Sequence, residues 1–184
     1  MGSHLLQVAS PATQMLRNDP VLEAYQQELS YVFHSLRWLG ARPYEVEDLA
    51  QEVFIALRRS WPRYDQTRPL RPYLLGVAFR VVSMQRRKRK RELAYSRMEV
   101  RDGHPGPDEE LQSKQGRAMV LRALESIPLR RRAVLVMHDL EELPMQQVAS
   151  TLSIPLFTAY SRLRKARTEL EAAVHRMVRK EAKP

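Results

Sequence analysis

The sequence predicts an all-α protein, with two small helical domains joined by a flexible linker and a helix-turn-helix in the C-terminal one. Three observations carry that prediction. Apolar residues recur at the i, i+3, i+4, i+7 spacing of a buried helix face in both halves of the 184-residue chain. No apolar–polar alternation runs beyond a few residues, so strands are not expected. Between residues 95 and 113 the periodicity stops, and Gly103, Pro105, Gly106 and Pro107 crowd together, as in a linker.

The expected organisation follows the chain. Residues 1–14 read as an expression-tag remnant and N-terminal tail, and residues 15–94 as the first domain. In its acidic helix, Val46, Leu49, Ala50, Val53, Phe54 and Leu57 form one apolar stripe, with Asp48, Gln51 and Glu52 outside it. Glu45 and Glu47 belong to the same acidic group. The turn-rich stretch SWPRYDQTRPLRP follows. A helix is predicted to start near Pro72, whose missing N–H is harmless in a first turn. Its buried stripe is Leu70, Tyr73, Leu74, Val77, Ala78 and Val81, and it ends in the cationic run Arg86 to Arg91. Leu75, Phe79 and Val82 fall off that stripe beside Arg80, Ser83 and Gln85, where flat apolar groups next to cations suit unstacked bases.

Residues 95–113 are the expected linker and 114–184 the second domain. Helices are predicted over 114–126, 129–140, 145–152 and 156–179. The segment LPMQQVASTLSIPLFTAYSRLRKAR carries the helix-turn-helix, with small Ala149 where the two helices cross. In the second helix Leu156, Ala159, Leu163, Ala166 and Leu170 form the buried stripe. Phe157, Thr158, Tyr160, Ser161, Arg162, Arg164 and Lys165 lie outside it, where hydroxyls and guanidinium groups can reach base edges and phosphates. The same spacing also fits an ordinary helical hairpin with a solvated basic face.

Composition bounds the function. The chain carries 31 Lys+Arg against 21 Asp+Glu, a formal net charge of +10, which points to a polyanionic partner. It has no cysteine, so neither a disulfide framework nor a thiolate metal site is available. No apolar run reaches the ~18–20 residues of a membrane span. The histidines are scattered and no glycine-rich phosphate loop is present, so neither catalysis nor a bound cofactor is expected. A soluble intracellular protein with a polyanionic partner, nucleic acid first among them, is the reading from composition. The acidic helix is the feature such a protein does not require.

The segments VEDLAQEVFIALRR, RPYLLGVAFRVVSMQRRKRKRE and LVMHDLEELPMQQVASTLSIPLFTAYSRLRKAR, in that order, resemble a bacterial RNA polymerase sigma factor of the extracytoplasmic-function type. The resemblance spans roughly residues 16–178. It implies that Asp48, Gln51 and Glu52 dock on the clamp coiled coil of the largest catalytic polymerase subunit. It implies that Tyr73, Phe79, Arg80, Ser83, Arg86 and Arg87 read and help melt the promoter element near −10. Phe157, Thr158, Tyr160, Ser161, Arg162 and Lys165 would then enter the major groove near −35. The implied protein is cytoplasmic, monomeric when free, without catalytic activity, cofactor or membrane insertion, and regulated by an anti-sigma factor.

Four positions depart from the family pattern. Arg80 stands where many relatives have Asn, Phe157 where Gly is usual and Tyr160 where Lys is frequent. Pro144 occupies a place where Ser or Thr commonly caps the helix; losing that cap costs about 1 kcal/mol unless Pro144 takes the first helical position. Two other classes fit parts of the chain. A dimeric helix-turn-helix regulator acting without polymerase leaves the acidic helix unexplained, and a helical interaction protein makes the basic faces incidental.

Overall fold

The computed structural model describes residues 19–95 and 113–181, and every regular element among them is helical. The N-terminal tail and nearly all of the expected linker lie outside the described residues. The helices are α1 (Pro20–Trp38), α2 (Val46–Ser60), α3 (Leu70–Tyr95), α4 (Ser113–Glu125), α5 (Leu129–Leu135), α6 (Met145–Thr151) and α7 (Leu156–Glu181). Short 3₁₀ turns, Pro43–Glu45 and Trp61–Arg63, precede and follow α2.

Local chemistry sets the boundaries. Asp19 caps α1 by accepting the Val21 N–H at 2.9 Å, and Pro20 takes the first helical position. The helix is capped at Leu39 and followed by Gly40, whose φ of 84° is left-handed. There Gly40 N–H reaches Arg37 and Ala41 N–H reaches Leu36, each at 2.9 Å, closing the turn as glycine termini do. Helix α3 starts two residues before Pro72, which sits within the first turn. The helix expected over 129–140 is continuous, but it loosens into a π turn over Val136–Leu140.

Helices α1, α2 and α3 form the first core, with Val32, Leu36, Val53, Leu57, Leu74 and Ala78 fully buried. Helices α4 to α7 form a second, around Leu124, Val134, Met137, Val148, Ala159 and Ala166. The two merge into one apolar cluster. Leu75 and Val82 were expected off the buried stripe, yet both are buried. Helix α3 is buried at every position from Leu74 to Ala78, and it packs against α6 of the helix-turn-helix in addition to α1 and α2. A helix apolar on every face is a buried one. At the crossing, a Cβ on Gly76 would lie 2.6 Å from Cγ2 of Thr151 in α6. Close approach explains a glycine inside a helix, where it otherwise costs about 1 kcal/mol relative to alanine.

Polar contacts also join the domains. Tyr31 in α1 donates to a Glu141 carboxylate oxygen at 3.0 Å. Arg71, bound to Glu28 at 2.9 Å, lies over the Tyr31 ring. Burial, then the Glu141 charge, raises the Tyr31 hydroxyl well above its ordinary pKa. Arg132 of α5 reaches the end of α1, where its Nη1 would collide with any Cβ on Gly40. It is 1% exposed; its Nε donates to the Ile127 carbonyl at 3.2 Å and its Nη1 has no hydrogen-bond partner. Burial, then the adjacent Arg86 cation, pushes its pKa down to about 10.

A buried cation without a contacting carboxylate opposes folding, and an apolar side chain of similar volume removes that penalty. Arg132→Met is therefore expected to raise stability by about 1–4 kcal/mol in urea denaturation. A loss of stability of that size would make Arg132 a stabilising clamp instead.

Candidate functional site

The acidic face lies on α2. Its apolar stripe, Val46 through Leu57, is buried as the spacing predicts, and that fixes which side chains face outward. Asp48, Gln51 and Glu52 are all exposed, with Glu47 beside them. None of the four makes an ion pair among the described residues. Glu45 parts from this group. It sits in the 3₁₀ turn, half-buried, paired with Arg89 of α3 and accepting the Arg42 N–H at 3.2 Å. Burial works against its charge, but the Arg42 and Arg89 hydrogen bonds outweigh it and hold the carboxyl below its usual range. The 3₁₀ turn accounts for the difference: it rotates Glu45 out of register with the helix that follows.

Helix α3 carries the second set. Tyr73 is half-buried, its hydroxyl donating to Ser60 Oγ at 2.5 Å and its ring packed against Tyr64 with centroids 4.8 Å apart. Trp61 extends the aromatic group, 5.6 Å from Tyr64. Phe79 and Ser83 are half-buried, while Arg80 and Arg87 are exposed. Arg86 turns back on its own domain and donates to the Leu39 and Gly40 carbonyls at 3.3 and 3.2 Å, the carbonyl end of α1 where a cation is favoured. The cationic run thus divides by helical position. Arg86 and Arg89 hold the fold, and Arg87, Lys88, Lys90 and Arg91 face solvent.

The third set lies on α7. The turn between α6 and α7 contains Ser153 at a φ of 53°, and the Ala149 carbonyl accepts the Ile154 N–H at 2.9 Å. Pro144 occupies the cap position of α6 itself, with no side-chain cap. Its carbonyl takes the Gln147 and Val148 N–H groups at 2.8 and 3.0 Å. Ala159, Leu163 and Ala166 are buried as expected, whereas Leu156 is 40% exposed at the helix start. Phe157 is 84% exposed and Tyr160 52%. Thr158, Ser161 and Arg162 are half-buried, and Lys165 is exposed.

The second and third sets meet. Ser83 and Arg87 from α3 form one wall of a cleft of about 590 Å³, and Phe157, Thr158, Ser161, Arg162 and Lys165 line it from α7. Arg130 and Arg131, which the sequence pattern did not single out, complete it from the start of α5. The signal available was the run Arg130-Arg131-Arg132, but three adjacent arginines on a helix point in three directions. Arg130 enters the cleft with no ion pair among the described residues, and Arg131 pairs with Glu169 at 2.5 Å. Arg132 is buried under Gly40. Tyr160, Arg80 and the acidic face lie outside the cleft lining.

Comparison with known proteins matches both halves. The family profile for Sigma-70 region 2 matches residues 24–92, and that for Sigma-70, region 4 matches residues 117–170. The ECF RNA polymerase sigma factor SigE of Mycolicibacterium smegmatis is 29% identical over 154 residues, covering 80% of this chain and 59% of the relative. The RNA polymerase sigma factor NccH of Alcaligenes xylosoxydans xylosoxydans is 23% identical over 142 residues, covering 74% and 76%. The chain thus spans little more than half the length of SigE.

Among solved structures, the sigma factor RpoE in complex with the anti-sigma factor NepR from Bartonella quintana aligns with a TM-score of 0.63 and 21% identity, covering 83% of this chain and 98% of that one. CnrH in complex with the cytosolic domain of CnrY aligns at 0.59 and 17%, covering 89% and 94%. At those identities the structural likeness is one of fold. Two family regions in the expected order, on the two helical domains the structure shows, place the chain in the sigma-70 family, in its extracytoplasmic-function branch.

Proposed function

We propose that this chain is an alternative sigma subunit: it binds RNA polymerase core, directs it to promoters, and performs no chemistry of its own. The observation that carries the reading is the acidic face. Asp48, Gln51 and Glu52 are exposed on a helix whose other side is fully committed to the core, in a chain of net charge +10. An unpaired acidic patch on a cationic protein fits a cationic protein partner, and the remaining surface is left for DNA. In this reading Asp48, Gln51 and Glu52 contact the polymerase clamp. Tyr73, Phe79, Arg80, Ser83 and Arg87 engage the −10 element, and Arg86 would join them only by leaving the Leu39 and Gly40 carbonyls. Phe157, Thr158, Tyr160, Ser161, Arg162 and Lys165 engage the −35 duplex.

Partners of the structural relatives support a regulator as well. RpoE and CnrH are each bound to a protein partner, NepR and CnrY, and an anti-sigma factor is the corresponding partner proposed here. A sigma subunit works where core polymerase and the chromosome are, which is the cytoplasm.

Asp48→Lys with Glu52→Lys is expected to abolish capture of core RNA polymerase while leaving helical content unchanged, since neither side chain packs in the core. Undiminished capture sinks the docking assignment. Arg162→Ala in the reconstituted holoenzyme is expected to weaken −35-dependent promoter binding by roughly 1–3 kcal/mol. Unchanged affinity would return Arg162 to the solvated face.

A further inference from the structure

The cleft between the domains has the chemistry of an anion site. Arg87 enters it from the first domain, and Arg130, Arg162 and Lys165 enter from the second. None of these four has an ion-pair partner among the described residues, and no carboxylate lines the cleft. Arg131 alone is neutralised, by Glu169. Burial, then the neighbouring Arg130 charge, holds Arg162 below its ordinary pKa. Ser83, Thr158 and Ser161 add hydroxyls to the same walls, each able to donate to an anionic oxygen.

We propose that this cleft binds a compact oligophosphate, which bridges Arg87 on one domain to Arg130 and Arg162 on the other and so staples the two together. The volume of about 590 Å³ lies within the range of small-ligand sites. Guanidinium groups match phosphate oxygens in pairs, and four cations approaching from two sides suit a ligand with several negative charges rather than one. A duplex, whose major groove alone is about 12 Å wide, is far too large to enter. Phe157, largely exposed at the cleft, offers a stacking face to any base the phosphates carry.

The inference deepens the sigma reading at one point. Ser83 and Arg87 of the −10 set face Phe157, Thr158, Ser161, Arg162 and Lys165 of the −35 set across this cleft, so a ligand that holds it closed also withholds these side chains from DNA. Binding of the anion does not depend on that reading.

The test is calorimetric titration of the full chain, without polymerase, using sodium tripolyphosphate, with ATP and a single-stranded oligo-dT as parallel probes. One tripolyphosphate per chain is expected, weakened about tenfold in both Arg87→Ala and Arg130→Ala, and unaffected in Lys90→Ala, an exposed cation outside the cleft. Gly76→Leu, which forces α3 and α6 apart, is expected to abolish binding while helical content is retained. Absence of saturable binding overturns the proposal. So does equal weakening by Lys90→Ala, which would mean an adventitious ion only, or loss confined to one wall, which would remove the bridge. Binding of oligo-dT without tripolyphosphate overturns it in favour of nucleic acid. Because no polymerase is present, each of these outcomes leaves the polymerase-capture result independent.

Discussion

Helix α3 gives one side to the core of its own domain and the other to the helix-turn-helix, and this double burial determines what each remaining surface can do. Leu74, Leu75, Ala78 and Val82 are all buried, and α3 packs against α1 and α2 as well as against α6 of the second domain. Gly76 permits the approach, because any larger residue would meet Thr151. Burying a leucine side chain contributes about 1.5–3 kcal/mol, so the interdomain face of α3 is not incidental contact. Against it stand the buried Arg132 cation and the facing cations of the cleft. The docked arrangement is a balance of apolar gain and electrostatic cost, the kind of balance a ligand or partner can tip.

That balance sorts the molecule's charges into two populations. The carboxylates of α2 stay outside the docked interface, available whether the domains are together or apart. Of the cations proposed for promoter contact, Arg87, Arg162 and Lys165 line the cleft between the domains, whereas Arg80 is exposed outside it. In the proposed sigma reading, polymerase can therefore meet the acidic face while Arg87, Arg162 and Lys165 still line the cleft. In that reading, patches of opposite sign on one chain steer two different partners.

Much of this was legible in the residues. The α2 stripe from Val46 to Leu57 follows helical spacing with no exception, so the outward direction of Asp48, Gln51 and Glu52 follows from periodicity alone. The helix-turn-helix is equally clear, from Ala149 and the stripe Ala159, Leu163, Ala166. What periodicity could not give was a second neighbour. Leu75 and Val82 look like free surface if α3 has one partner, and only the consecutive apolar run Leu74 to Ala78, broken by a glycine, hints at two. Glu45 escaped for a local reason, because a 3₁₀ turn changes the register just before α2. Leu156 escaped for another, since a stripe read backwards to the first helical residue runs past the point where packing begins. Arg130 in the cleft and Arg132 beneath Gly40 depend on contacts between segments far apart in sequence, and adjacent identical residues carry no mark of which will be buried.

The measurement that bears most directly on this account is the distance between the two domains in the free chain and on polymerase. The sequence contains no cysteine, so Gln66→Cys with Arg176→Cys places two unique spin labels on exposed positions of the two domains. Pulsed electron resonance is expected to show one narrow distance distribution for the free protein, shifting to longer distances when core RNA polymerase is added. A broad distribution in the free chain, unchanged by core, would contradict the docked arrangement and with it the shared role of α3.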